Sequence, residues 1–199
     1  MSHAVVLVAV ECKEHDIEDA IQFQMEPFDE KDECFRNGSR WDWWVIGGRW
    51  KGCLMGHNFT TRKELSRAKW ELEREEEARA DFRKGMEDDE KLRSLCWGIT
   101  PGMTEDEYAA KHKPIYFGAF LHNRHWHENE RLGWFGGTAK SECQIGREEV
   151  LKGKCLVKDE KTGAQIVGWN DDKWQAKFWD RFIEPLAPDT WLVAVDYHV

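Results

Sequence analysis

The sequence predicts an α+β fold: an antiparallel sheet with helices on one face, carrying a charged helical insertion. Three observations lead there. Ala4 to Val10 is a continuous apolar run of strand length, Thr190 to Val199 reads as the clearest strand, and 60–95 is dominated by Glu, Arg, Lys and Ala in a way that matches neither. The 199 residues, 41% hydrophobic with 12 Trp and 10 Phe, can bury a core of ordinary size, so wholesale disorder is excluded and a single domain over 1–199 is expected.

The β-branched run at 4–10 fits a strand covered on both faces, hence a central one. Asp16 caps a helix whose Ile17, Ala20, Ile21 and Gln24 keep helical spacing, and Pro27 bounds it. The polar stretch from Asp29 to Arg40, ending in Asn37-Gly38-Ser39, reads as a loop. Within the insertion, Thr61 and Glu64 make a capping box, Leu65, Ala68, Leu72, Phe82 and Met86 mark a narrow apolar stripe, and Gly85 before Glu87-Asp88-Asp89-Glu90 predicts a break. A solvated helix or helical pair is one reading of this segment and a partner-binding arm the other.

Ile115 to Leu121 reads as a buried strand continuing through His125-Trp126-His127, with a turn at Glu128–Arg131 into Leu132–Gly137. A smaller hairpin is expected over Lys154 to Gly168, turning at Asp159–Gly163. Asn170 caps a last helix with Trp174, Phe178 and Phe182 on its apolar face, ended by Pro185. In the final strand Trp191, Val193, Val195, Tyr197 and Val199 share one face, and Asp196 and His198 the other. This order resembles a ferredoxin-like sandwich, in which first and last strands pair antiparallel.

A net charge of −9 and a pI near 5.4 argue against direct bulk nucleic-acid binding through phosphate neutralisation. No apolar run is long enough to cross a bilayer, and no signal peptide is recognisable, so a cytoplasmic protein without a membrane partner is expected. Six cysteines without a C-x-x-C pair remove the usual zinc-ribbon and redox motifs and fit reduced thiols. Neither a Walker loop nor a G-x-G-x-x-G fingerprint is present, which disfavours the familiar nucleotide folds.

The candidate ligand site is the run Trp41, Asp42, Trp43, Trp44, Gly47, Gly48, Arg49 and Trp50, with Trp134 as a neighbouring wall. Indoles supply rigid stacking surface, the glycines allow close backbone approach, and Arg49, oriented by Asp42, can fork onto a phosphate or carboxylate. A packing corner in which Arg49 stacks on Trp and pairs with Asp42 is the competing reading. Candidate metal ligands are His3, Asp196 and His198, brought together by pairing of the first and last strands, and His125 with His127, which share a strand face. A divalent metal is therefore a possible cofactor; no nucleophile or triad can be read.

Trp41-Asp42-Trp43-Trp44-Val45-Ile46-Gly47-Gly48-Arg49-Trp50, Gly133-Trp134-Phe135-Gly136 and Val195-Asp196-Tyr197-His198-Val199 together resemble a bacteriophage-type protein family marked by a D-W-W-x-I-G-G-R-W motif. The resemblance implies a phage accessory protein acting in the host cytoplasm and carries over no catalytic residue. Two functions of different class follow as expectations. The first is binding of a nucleotide-like ligand or a host protein through the Trp/Gly/Arg surface, with antagonism of a host defence system as its use. The second is a metal-dependent or acid–base hydrolase or transferase acting on a nucleotide or modified nucleic acid.

Overall fold

The computed structural model describes residues 3–30, 40–111, 117–129, 155–169 and 173–198. These divide into two compact units, Met1–Glu64 with Tyr116–Val199, and Leu65–Ile115. The fold is mixed α+β.

The first unit is built on an eight-stranded sheet. Its strands are β1 (His3–Val10), β2 (Trp43–Ile46), β3 (Phe59–Thr61), β4 (Ala119–His122), β5 (His125–Asn129), β6 (Cys155–Lys158), β7 (Gln165–Trp169) and β8 (Trp191–His198). They lie in the order β2-β8-β1-β4-β5-β7-β6, with β3 also on β8. As its composition predicts, β1 is interior, flanked by β8 and β4, and Val6 to Ala9 are fully buried. It runs antiparallel to β8 in the register His3 to His198.

The sheet is mixed rather than antiparallel, because β1 pairs parallel with β4 and β5 parallel with β7. Long connections make this possible: β1 and β4 are separated by more than a hundred residues, ample for a crossover. A parallel β1–β4 pair also departs from the ferredoxin-like order, whose neighbouring strands are antiparallel. Nor do the helices share one face. Helix α1 (Ile17–Met25) buries Ile17, Ile21 and Met25 in a core with Val6, Val8, Leu121, Trp126, Val193, Val195 and Tyr197. The opposite face receives the segment after β7, where Phe178 and Phe182 pack on Phe120, the latter stacked at 4.8 Å. That segment is the short helix Trp174–Phe178, widened into a π-helical turn over Trp179–Ile183; its expected cap, Asn170, lies outside the described residues.

A second correction concerns the 115–137 region. The chain does not run on through 122–124. It reverses at Asn123 and Arg124, with φ of 50° and 61°, so β4 and β5 form a tight hairpin. Asn enters the left-handed region readily, two such residues match strand twist, and Arg124 is held there by Gln24 Oε1 on its N–H (2.7 Å) and by Phe23 beneath its guanidinium (3.8 Å). The expected second limb, Leu132–Gly137, lies outside the described residues. The β6–β7 hairpin forms as expected, its turn closed by the Asp159 carboxylate on Lys161 N–H and the Thr162 hydroxyl.

In the second unit, α2 (Arg67–Gly85) starts at Ser66, whose hydroxyl accepts the Lys69 N–H. The Thr61–Glu64 box is made, but it closes a turn ahead of the helix. The buried stripe is Trp70, Arg74, Ala78, Phe82 and Gly85, while Leu72 and Met86, expected inside, are exposed. Gly85 is the last residue of the helix, and a side chain there would strike Ile99 and Trp97. Glu90–Leu92 and Glu105–Lys111 supply two further short helices, and Phe82, Ile99 and Tyr108 form a small core.

Arg40, expected at the end of a polar loop, is buried, forking onto Glu128 through Nε (2.7 Å) and Nη2 (2.9 Å). Removing one partner strands a buried charge. Arg40→Met is expected to cost about 3–5 kcal/mol, most of it recovered in Arg40→Met/Glu128→Leu, as read by urea unfolding. Equal stability of the single variant and wild type would contradict a buried pair.

Candidate functional site

Strand pairing brings the two ends of the sequence reading together. Because β8 pairs with β1 on one side and β2 on the other, His198 lies opposite both His3 and Trp43, and Asp196 opposite both Val5 and Val45. The Asp196 side chain, 2% exposed, accepts from His3 Nδ1 at 3.0 Å and from the Arg49 backbone N–H at 2.9 Å. His198 Nδ1 meets Asp42 Oδ1 at 2.6 Å. Since an ionised carboxylate only accepts, both imidazoles carry their proton at Nδ1. His198 Nε2 is then left buried without a partner among the described residues.

The glycines serve this corner. Gly47 has φ of 77°, and a Cβ there would strike the Asn58 side chain. Gly48 has φ of 52°, and a Cβ there would fall on the Asp196 carboxylate. Only glycine lets the backbone cross so close to the acid. The turn Gly48–Trp50 follows, with Trp50 half-buried and the Arg49 side chain exposed.

The tryptophans divide. Trp41 is 7% exposed and its Nε1–H donates to the Met25 carbonyl, so it belongs to the core. Trp44 is half-buried, edge-on to Trp41 at 6.5 Å. Trp43 is 49% exposed, edge-on to His3. A groove of about 570 Å³ runs between β2 and α1, lined by Trp41–Ile46, Glu18, Asp19 and Gln22. Glu18 and Asp19 are exposed, and no Lys or Arg lines the groove among the described residues. Asp42 therefore orients His198 rather than Arg49, and the surface is acidic and aromatic rather than arginine-rich. Acids in the first turn of α1 suit the helix dipole, so this signal was present in the sequence as a helix start. Trp134 lies outside the described residues.

His3, Asp196 and His198 do come together, but no group of three His, Cys, Asp or Glu among the described residues converges as a metal site. Two of the candidate donor nitrogens already face carboxylates.

His125 and His127 share a face with His122 and Phe120, their cross-strand partners on β4. They line a second cavity of about 360 Å³ with Trp169, Arg181 and Phe182. Trp169 Nε1–H donates to His127 Nδ1 at 3.1 Å. An indole N–H cannot accept, so the His127 proton resides on Nε2. Burial, with His125, Arg181 and His122 nearby, pushes the His127 imidazolium down to about 4. Burial also lowers His122, against the pull of Glu11.

No family model, no curated protein and no solved structure matches the chain. Among the described residues no helix is long and apolar enough to cross a membrane.

An imidazole with a depressed pKa refuses a proton that the unfolded chain accepts, so stability falls as pH drops from about 6.5 to about 4. Histidine NMR titration is expected to keep His127 neutral down to about pH 4; titration near the free-imidazole value would contradict its burial beside His125 and Arg181.

Proposed function

We propose that this chain is a binding protein, and that the groove between β2 and α1 holds a basic segment of a partner protein. One observation carries the reading: an exposed indole, Trp43, and a half-buried one, Trp44, are flanked by Glu18, Asp19 and Asp42, with no basic residue in the lining among the described residues. Indole faces attract cations, and the exposed carboxylates of Glu18 and Asp19 beside them complement Lys or Arg. A nucleotide, with its own negative charge, is the poorer occupant here. β2 also ends the strand order, and no further strand covers its outer edge among the described residues, leaving room for an extended segment. In the setting implied by the bacteriophage resemblance, the partner is a host protein and the use is interference with host defence in the host cytoplasm.

Acid–base chemistry is the second reading, supported by the two His–Asp pairs. Within it His3, 18% exposed and oriented by Asp196, is the candidate base, since His198 Nε2 is buried.

Tryptophan fluorescence titrated with an oligo-arginine peptide is expected to show saturable binding that weakens with salt. Glu18→Lys/Asp19→Lys should weaken it by about tenfold or more, the scale of one or two charge-assisted contacts. Binding of ATP but not the peptide, or no change with either, would overturn the reading.

A further inference from the structure

The second cavity has the opposite chemistry to the groove and lies on the other face of the sheet. We propose that the pocket framed by His122, His127, Trp169, Arg181 and Phe182 is a binding site for a small aromatic anion: a flat ring bearing a phosphate or carboxylate.

Four features support this. No Asp or Glu lines the cavity among the described residues, in a chain whose net charge is −9. An anion there meets no carboxylate in the lining, the nearest acid acting on it being Glu11 beside His122. Arg181 is held in place, its guanidinium 3.9 Å above Trp169 and 5.7 Å from Phe182, so the charge is supplied by a stacked, oriented fork rather than a waving side chain. The stack leaves the edge of the guanidinium as the part that hydrogen-bonds, as recognition of a carboxylate or phosphate needs.

His127 supplies a second, neutral donor. With Nδ1 occupied by the Trp169 N–H, its proton is on Nε2, and that nitrogen has no protein partner among the described residues. The ring stays uncharged through the physiological range, so it donates without the desolvation cost of a buried imidazolium. His127 is half-buried, and the nitrogen it leaves without a protein partner among the described residues belongs to a residue of the cavity lining.

The walls are aromatic. Phe120 and Phe182 stack at 4.8 Å, and His127 lies 5.1 Å from Phe182, giving a flat apolar surface beside the donors. A volume of about 360 Å³ suits a ring with one anionic group and is too small for a macromolecular segment. The three imidazoles do not make this a metal centre, since no three-ligand group converges among the described residues.

Equilibrium binding of the whole chain to AMP and to indole-3-acetate, each followed by ligand-detected NMR, separates the phosphate from the carboxylate source. At least one is expected to bind, with adenosine and inorganic phosphate about tenfold weaker or more, because each lacks one half of the recognition. Arg181→Gln is expected to reduce binding by a similar factor. Trp169→Phe, which keeps an aromatic platform, should weaken binding and raise the His127 titration midpoint. Glu18→Lys/Asp19→Lys should leave it unchanged, so failure here and failure of the basic-segment reading are separately visible. Absence of binding by both aromatic anions, wild-type affinity in a folded Arg181→Gln, or stoichiometric loading by Zn²⁺ alone with displacement of the anions would overturn the proposal.

Discussion

The carboxylate of Asp196 is the point on which the described corner of the sheet depends. It projects from the one strand that pairs with three others, accepts the Arg49 N–H at the end of β2 and the His3 ring from β1, and forces glycine at position 48. A buried acid of this kind is tolerated because its acceptor positions are filled by donors from two separate chain segments. The consequence reaches the surface. Once the Gly47-Gly48 turn is pinned, Trp41 and Trp44 must face α1 while Trp43 stays outside beside His3.

The division of the tryptophan motif explains why composition alone was ambiguous. The run is divided between interior and surface, with Trp41 buried just ahead of β2 and Trp43 exposed on it. Trp41 is interior, Trp43 and Trp44 line a groove, and Asp42 pairs with His198 rather than with Arg49. Arg49 contributes its backbone, not its side chain, to the corner, a role that residue type cannot announce.

Much of the sheet was legible. The apolar runs of β1 and β8 mark them as strands buried on both faces, and their expected antiparallel pairing is present in the register His3 to His198. What escaped was set by contacts distant in sequence. The left-handed Asn123-Arg124 turn depends on Gln24 and Phe23 of α1, about a hundred residues earlier. The parallel pairs β1–β4 and β5–β7 depend on connections whose length is known but whose path is not. In α2 the buried stripe runs through Arg74, which a purely apolar count passes over. His122, the third imidazole of the second cavity, was hidden because the hairpin turn that faces it to His125 was itself missed. The sheet thus carries two cavities of contrasting lining on opposite faces, one with acidic and aromatic walls and one with Arg181 and aromatic walls, within a chain that is acidic overall.

The central claim, that Asp196 and the glycine beside it position the exposed indole, is tested most directly by Gly48→Ala in protein labelled with 5-fluorotryptophan, following unfolding in urea and the ¹⁹F spectrum together. The account expects a loss of about 2 kcal/mol, from a left-handed alanine and a displaced carboxylate, with the Trp43 resonance moved and that of the core residue Trp126 unmoved. Wild-type stability with an unshifted Trp43 would contradict it.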